Sequence, residues 1–408
     1  MKPSGASPMA YVGATLRLES LSGLMIVVAM ALGLAAKNSP IAHLYDVVHH
    51  ATVHIGIGAW VSDEPLIFWI NEGLMVFFFL LVGLELKREL LEGYLSTLRQ
   101  ALLPAYAAAG GMAVPALVYV GFTWADPASV RGWAIPTATD IVLALGILML
   151  LGRRVPAALK VFLTALAIFD DIGAVLIIGI FYGKALFVLP LVAAAIALGG
   201  LWLLNKYAVT TAWPYIVVGG TLWLAMVNSG FEATLAGVLI GFAVPMRVSP
   251  NADRSPLERV EAEIHPWVAL VVVPLFAFFN AGVAVDARVF ANLGTPVSLG
   301  IVFGLFFGKQ LGIMAATWAA VRLGAARLPD GVTWSQIYGA AAVAGIGFTM
   351  SLFVTTLAFT DPETIANAKL AVLAASALSA TVGLFILYAA TKRATTLSPR
   401  RESAVKGR

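Results

Sequence analysis

The sequence contains no cysteine among its 408 residues, which excludes disulfide bonds and thiolate metal sites. Charged residues are also scarce: they make up 12% of the chain, whereas soluble proteins contain about 25%. Hydrophobic residues make up 60% of the chain. The net charge of +4 does not indicate nucleic-acid binding, because the basic residues are spread among separate loops. The composition therefore excludes a soluble domain and indicates a protein that crosses a membrane several times.

Apolar runs recur from residue 20 to residue 391 with short breaks between them. Windows of about 20 residues, the length that spans a bilayer, predict twelve helices, at 20–36, 66–92, 102–123, 134–151, 157–182, 187–207, 212–227, 231–247, 265–284, 297–319, 335–358 and 367–391. The chain is thereby divided into an N-terminal segment (1–19), a twelve-helix membrane domain (20–391) and a C-terminal tail (392–408). No loop is long enough to hold a catalytic domain, so any chemistry is expected inside the membrane.

The lysine and arginine residues predict the orientation. With the N-terminus in the cytoplasm, 20 of the 26 basic residues fall in cytoplasmic segments and 5 in outer segments. The remaining one, Lys309, lies within a span. Because cytoplasmic loops of membrane proteins are enriched in Lys and Arg, we expect both termini to be cytoplasmic.

One outer loop, "DVVHHATVHIGIGAW" at residues 46–60, alternates apolar and polar residues and contains "GIG". This pattern predicts a short β-hairpin on the outer surface. Its histidines, His49, His50 and His54, are the residue type of a metal site or a pH sensor. We interpret them as surface residues of the strands, because no cysteine or carboxylate pattern accompanies them.

Four ionisable residues fall inside the predicted spans: Asp140, Asp170, Asp171 and Lys309. An ionised side chain at the centre of a membrane helix costs roughly 2.5–3.5 kcal/mol on insertion scales. Residues of this kind mark ion or proton pathways, although Lys309 could instead form an ion pair that only holds helices together. One lysine cannot neutralise two adjacent aspartates, so a purely structural explanation is weaker for them.

Asp170 and Asp171 are neighbours on one helix and point about 100° apart. Buried carboxylates that lie close together hold protons more readily than exposed ones, and a hard cation competes with those protons. Such a pair can therefore bind a proton or a small cation in turn. This chemistry is typical of an exchanger of ions for protons.

Two spans contain signals for a broken helix. Pro136 in "GWAIPTATDI" removes a backbone donor, which predicts a break near 134–139. Gly345 and Gly347 in "AVAGIGFTMSLF" predict a second break, although small residues at a helix contact would explain the same glycines. Interrupted helices in corresponding positions of two halves indicate a transport site. Asp140 and Lys309 are then expected to offset the partial charges of the half-helix ends.

The motifs "INEGLMVFFFLLVGLELKREL", "GWAIPTATDI", "ALAIFDDIGAV", "HPWVALVVVPLFAFFNAGV", "FFGKQLGI" and "GIGFTMSLF" occur in this order. Together they resemble the NhaA family of sodium/proton antiporters. The resemblance implies an all-α polytopic membrane protein with twelve transmembrane helices, inverted repeats and two discontinuous crossing helices. It also implies a short periplasmic β-hairpin that joins two protomers into a homodimer in the bacterial inner membrane.

The resemblance implies roles for the intramembrane residues. It makes Asp171 the main ion ligand and Asp170 the partner of Lys309, and it places Thr139 and Asp140 in the unwound helix at the site. Asp171, Asp170, Asp140 and Thr139, which carry oxygen ligands, would form the Na+ site.

The implied activity is export of Na+, and of Li+, in exchange for H+, in an electrogenic and pH-regulated cycle without a cofactor. Such a protein maintains sodium and pH homeostasis. The resemblance implies a pH-response role for Glu85, Arg88 and Glu261 at the cytoplasmic end.

The sequence departs from the family at two positions. Glu232 stands where relatives often have histidine, and Glu72 replaces another acidic residue. The second change preserves charge. The first replaces a group that titrates near neutrality with one whose unperturbed pKa is about 4.3. We therefore expect any pH response to come from the cytoplasmic charges and the site aspartates.

Two other function classes share some of these features. A sodium-coupled solute symporter also uses broken helices and buried acids, but no solute-binding group is evident among the carboxylates, the lysine and the threonine of the predicted site. An intramembrane aspartyl protease needs two carboxylates that face each other from separate helices. Adjacent residues of one helix cannot meet that requirement.

Overall fold

The computed structural model describes residues 8–57, 60–183, 186–246, 254–285 and 293–405. Two units are formed from alternating segments of the chain. Unit 1 comprises Met1–Ser96 and Val175–Val285, and unit 2 comprises Thr97–Ala174 and Asp286–Arg408. Helices dominate both units, as the sequence predicts for a polytopic α-helical membrane protein.

The main elements follow each other along the chain in this order: α1 (Pro8–Lys37), α2 (Ala42–His49), β1 (Thr52–Ile57), β2 (Trp60–Pro65), α3 (Leu66–Leu91), α4 (Leu98–Thr123), α5 (Pro127–Thr137), α6 (Ile141–Leu150), α7 (Ala157–Phe181), α8 (Val188–Lys206), α9 (Ala212–Val227), α10 (Leu235–Ala243), α11 (Pro256–Ala281), α12 (Pro296–Arg322), α13 (Trp334–Ala344), α14 (Phe348–Ala358) and α15 (Pro362–Val405). Short π-helical segments interrupt α3, α11 and α12. The second half of α5 is a 3-10 helix.

Seven helices of the described residues are long and apolar enough to cross a membrane, and three bent pairs bring the number to ten. The predicted total of twelve stays a prediction. The eighth predicted span, 231–247, is helical only over α10, because residues 228–234 form turns. The ninth begins at Pro256 rather than at 265, because Ser255 and Glu258 form a capping box that starts the helix earlier.

A β-hairpin is present in unit 1, but its bounds differ from the predicted 46–60. Residues 46–49 belong to α2, and the second strand continues to Pro65. The helix is favoured here because Tyr45 is buried and its hydroxyl, 3.0 and 2.9 Å from the carbonyl oxygens of Phe278 and Phe279, donates to one of them. In the two antiparallel strands His54 pairs with Asp63, and their side chains are 2.5 Å apart. Residues 58 and 59 lie outside the described part of the chain.

The predicted C-terminal tail, 392–408, begins as a continuation of α15, which extends to Val405. Extending an existing helix requires no new nucleus, so a helix can persist past the apolar run. Residues 406–408 lie outside the described residues. At the other end, α1 begins at Pro8, within the predicted N-terminal segment.

Glycines bring α3 and α10 of unit 1 into direct backbone contact. A side chain at Gly237 would collide with the backbone of Val76 and Leu80, and one at Gly83 would collide with Val238. Close backbone approach of this kind is typical of membrane helices, where van der Waals packing rather than hydrophobic burial holds neighbours together. The path of α10 beside α3 therefore depends on residues without a Cβ.

We expect Gly237→Ala to lower the stability of the purified protein by about 1–3 kcal/mol, because the added methyl group forces the two backbones apart. Gly199→Ala is the matched control, since a side chain at this exposed glycine of α8 meets no atom within 4 Å. It should leave stability unchanged or raise it slightly through helix propensity. Thermal unfolding in detergent measures both. Equal melting temperatures for the two variants would contradict the close approach of α3 and α10.

Candidate functional site

Two interrupted helices lie in unit 2, where the sequence predicts them. The 3-10 part of α5 ends at Thr137, the chain is extended at Ala138 and Asp140, and α6 begins at Ile141 after a bend of 41°. Helices α13 and α14 are separated at 345–347 and bent by 42°. Pro136, which lacks a backbone donor, lies just before the first break. Gly345 and Gly347 at the second break have right-handed helical backbone angles, and a side chain at either would collide with Leu305.

The two breaks contact each other through backbone groups. The N–H of Asp140 donates to the carbonyl of Ile346 at 2.6 Å. The hydroxyl of Ser351 donates to the carbonyl of Ile135 at 2.7 Å. These bonds satisfy groups that an unbroken helix would have paired internally, which is the requirement for irregular backbone inside a membrane protein.

Asp140 caps the N-termini of two half-helices at once. Its Oδ1 accepts from the N–H of Leu143 in α6 at 3.0 Å. Its Oδ2 accepts from both the N–H and the hydroxyl of Thr349 in α14, at 3.1 and 2.6 Å. The carboxylate is buried, and it lies where two helix dipoles place partial positive charge. This agrees with the expectation that Asp140 offsets the charge of the half-helix ends.

Lys309 has the complementary position. It follows the π-helical segment Gly304–Gly308 of α12 and is fully buried. Its ammonium donates to Asp170 Oδ2 at 2.6 Å and to the carbonyl of Thr137, the last residue of α5, at 2.5 Å. The cation therefore neutralises both a carboxylate and the partial negative charge at a helix C-terminus.

Asp170 uses only one of its two oxygens in these contacts. Its Oδ2 accepts from Lys309 and lies 2.6 Å from the hydroxyl oxygen of Thr139. That hydroxyl is also 2.9 Å from the carbonyl of Ala344, so its single proton serves one acceptor at a time. Among the described residues Asp170 Oδ1 is buried and has no hydrogen-bond partner. A buried, unpaired carboxylate oxygen is a position that a proton or a small cation can fill.

Asp171 follows Asp170 in α7 and is almost buried, with 7% of its surface exposed. No group of three acidic or histidine side chains among the described residues comes close enough to hold a metal ion. Asp140, engaged in its two caps, is therefore not gathered with Asp170 and Asp171 into the ligand set expected from the sequence. Its role as a Na+ ligand stays a prediction.

The predicted pH-response residues lie in unit 1. Arg88 Nε is 3.1 Å from Glu261 Oε2, which joins α3 to α11, and a guanidinium nitrogen of Arg88 is 3.4 Å from Glu89 Oε1. We call Arg88, Glu89 and Glu261 the Arg88 cluster. Glu85 is partly buried one turn earlier on α3. Glu258 has a structural role, since its carboxylate accepts from the backbone N–H of the capping residue of α11.

Sequence reasoning missed two polar contacts. The contact of Thr349 with Asp140 was not predicted, because the N-cap of α14 is Gly347, which has no side chain, and the capping carboxylate comes from a residue 209 positions away in the sequence. The contact of Lys87 was not predicted either. Its ammonium donates to the carbonyls of Phe242 and Val244 at the C-terminal end of α10. No signal in the sequence links Lys87 to α10.

The family model described as "Na+/H+ antiporter 1" matches residues 14–387 of this chain. The chain belongs to this family. It is 49% identical to "Na(+)/H(+) antiporter NhaA 1" of Syntrophotalea carbinolica over 93% of this chain and 96% of that protein. It is 49% identical to "Na(+)/H(+) antiporter NhaA" of Rhodospirillum rubrum over 93% and 97% of the two chains. A protein with the same name in Shewanella sp. (strain MR-4) is 50% identical over 90% and 95%.

The resemblance deduced from the sequence motifs is thereby confirmed for the antiporter family. The match extends over both units and includes both breaks and Lys309. At the position of the departure from the family, Glu232 is buried in unit 1, and the hydroxyl of Thr234 donates to its Oε1 at 3.2 Å. The chain therefore has a buried carboxylate at the position where the resemblance implies a histidine.

We expect a double-mutant cycle to show strong coupling between Asp170 and Lys309. Asp170→Asn and Lys309→Gln each leave a buried charge without its partner, which typically costs about 3–5 kcal/mol, and the double variant should cost much less than the sum. The surface pair Lys37 and Asp46, which is 2.5 Å apart, is the control, and its coupling should be below about 1 kcal/mol. Thermal unfolding in detergent measures both cycles. Additive effects at Asp170 and Lys309 would contradict the pairing.

Proposed function

We propose that this chain is a secondary antiporter that exports Na+, and also Li+, in exchange for H+ across the bacterial inner membrane. The observation that supports this most directly is the buried Lys309–Asp170 pair beside the two helix breaks, in a chain of the antiporter family. Na+ and H+ are its substrates, and no cofactor takes part. The protein is a transporter rather than an enzyme.

The proposed cycle begins from the ion pair. Without Na+, Lys309 neutralises Asp170, and Asp171 holds a proton. A Na+ ion that reaches Asp171 and the free Oδ1 of Asp170 supplies the positive charge that the proton and the ammonium supplied before. The proton then leaves, because a carboxylate that binds a hard cation no longer needs it.

Thr139 and Asp140 complete the proposed Na+ site. When the Thr139 hydroxyl donates to the Ala344 carbonyl, its oxygen lone pairs are free for a cation beside Asp170. Asp140 would enter the ligand set only after a movement of the half-helices that releases its contact with Thr349. The broken helices can supply such a movement, because their ends are held by side chains rather than by a continuous ladder of backbone bonds.

We propose that the exchange is electrogenic. Na+ drives one proton off Asp171 and, when it also displaces Lys309 from Asp170, the ammonium releases a second proton. Two protons then cross against one Na+, and such a cycle moves net charge across the membrane. The related proposals are that both termini are cytoplasmic, that twelve spans form inverted repeats with two crossing broken helices, and that the β1–β2 hairpin joins two protomers into a dimer.

The proposed pH response belongs to the Arg88 cluster together with Glu85. An ion pair between α3 and α11 couples the protonation of Glu261 to the relative position of two helices. A set of solvated charges would have little effect, but the side chains of Glu261 and Glu89 are only 17% and 12% exposed. Their charges are therefore less screened than those of surface residues.

We expect Asp171→Asn to abolish Na+-driven proton flux while the protein still inserts and binds detergent normally, because an amide can neither release a proton nor balance a cation. Purified protein in proteoliposomes, an imposed Na+ gradient and a lumenal pH dye measure the flux. Asp330→Asn, an exposed loop carboxylate, is the matched control and should retain it. Undiminished flux in the Asp171→Asn vesicles would exclude this mechanism.

The same vesicles test the origin of the pH response. We expect Glu261→Gln to move the midpoint of the pH profile by about half a pH unit or more, since it removes the charge that faces Arg88. Glu232→Gln should leave the midpoint in place. A shift with Glu232→Gln and none with Glu261→Gln would assign the response to the residue that departs from the family.

A further inference from the structure

Unit 1 contains a large apolar groove along α9. Its volume is about 770 Å³, which is within the range of small-molecule sites, about 300–1,000 Å³. One wall is a stripe of α9 at helical spacing that includes Tyr215, Ile216, Gly220 and Trp223. The opposite wall is α3 near its π-helical segment, and α10 and the first turns of α11 complete the lining. We call this feature the α9 groove.

The length of the α9 groove suits a hydrocarbon chain. Its lining extends along α9 from Thr211 to Trp223, which corresponds to about 18 Å at 1.5 Å per residue. Half of the hydrocarbon core of a bilayer is about 15 Å thick. Two lining residues, Phe77 and Ile216, are 48% and 62% exposed, so the groove opens sideways from helices that are apolar enough for the membrane.

The two ends of the groove differ. At one end the rings of Trp69 and Trp223 are 6.2 Å apart, and Trp223 Nε1 donates to the carbonyl of Glu72. At the other end lie the hydroxyl residues Thr210 and Thr211, which precede α9, and the start of α11.

Packing shows that the start of α9 and the start of α11 belong to the same end. Tyr215 and Val260 both pack against the buried cluster of Leu84, Val244 and Leu257. Glu263 lies one turn after Val260 on α11, is exposed, and also lines the groove. The groove therefore combines an apolar channel with a polar, acidic end, as an amphiphile requires.

We propose that the α9 groove binds one acyl chain of a membrane phospholipid whose amine-bearing headgroup lies against Glu263. Within the described part of the chain, Glu263 is the only acidic residue that lines the groove, and no lysine or arginine there lines it. The nearby Lys206 is directed elsewhere, with its ammonium 4.9 Å from the centre of the Trp202 ring. This charge distribution favours an ammonium and disfavours an anionic headgroup.

Bound lipid would contact a helix of the Arg88 cluster. Val260 and Ile264 line the groove from α11, the helix whose Glu261 pairs with Arg88. The binding site itself does not depend on the proposed exchange activity, because its occupancy can be measured without transport.

The test uses tryptophan fluorescence of the full chain in nanodiscs that contain phosphatidylethanolamine or phosphatidylglycerol with the same brominated acyl chains. The chain has ten tryptophans, so the fluorescence of the two in the groove must be isolated. It is obtained by subtracting the fluorescence of the double variant Trp69→Phe/Trp223→Phe from that of the wild type. We expect this difference signal to be quenched strongly by brominated phosphatidylethanolamine and weakly by brominated phosphatidylglycerol. Glu263→Gln should reduce that preference about threefold, the effect of one exposed charge pair.

Two variants fill the groove. A side chain at Gly220 meets no atom within 4 Å, and one at Gly73 touches only the Trp69 ring. Gly220→Phe and Gly73→Leu should therefore fold and should lose most of the quenching of Trp69 and Trp223. Gly199→Phe, at an equally open glycine of α8 outside the groove, should retain it.

Three results would overturn the proposal. The first is quenching in Gly220→Phe and Gly73→Leu that equals the wild type. The second is equal quenching by the two headgroups. The third is that no brominated lipid quenches Trp69 and Trp223 while Gly220→Phe has a larger monomer fraction than the wild type. This result would show that a second copy of the chain occupies the groove.

Discussion

The arrangement of unit 2 depends on one buried ion pair, between Lys309 and Asp170, which are 0% and 1% exposed. Two charges out of water are stable only when further hydrogen bonds accompany their mutual attraction. The Thr137 carbonyl and the Thr139 hydroxyl supply those bonds, and both groups are available because α5 ends at Thr137. A continuous helix through residues 134–140 would engage the carbonyl in its own ladder. The break in the fourth predicted span and the ion pair therefore require each other.

The second break follows the same electrostatic rule with the opposite sign. Asp140 lies between the N-termini of α6 and α14 and accepts hydrogen bonds from both, whereas Lys309 lies at the C-terminal end of α5. Each charged side chain offsets a helix end of opposite partial charge. Because Asp140 and Lys309 each contact such an end, protonation of Asp140 or displacement of Lys309 would weaken a helix contact. In the proposed cycle, ion binding and helix position are therefore linked through the same atoms.

The parts of this structure that the sequence predicted are those with a local or compositional signal. Pro136 locates the first break, since the loss of its backbone donor does not depend on distant residues. Gly345 and Gly347 locate the second, although the contact that requires a small residue there is with the distant Leu305. Charged residues are rare in apolar runs, so Asp170 and Lys309 could be selected as functional without a structure. The bond from Thr349 to Asp140 joins residues 209 apart, and the contact of Lys87 with α10 joins residues 155 apart. Spacing along the chain contains no information about such contacts. The hairpin bounds were missed for a similar reason, because Tyr45 holds α2 against residues far along the chain.

Stability alone does not explain the Lys309–Asp170 pair. Replacement of a buried ion pair by well-packed apolar residues is often neutral or stabilising, so leucine and alanine would serve a purely structural helix contact at least as well. What apolar residues cannot do is change charge. Among the described residues Asp170 Oδ1 has no hydrogen-bond partner, and Asp171 is its neighbour on α7. In the proposed cycle these two carboxylates bind Na+ and exchange a proton. A site that is costly for the resting protein but changes its charge state in this way would have the physical property that an antiporter requires.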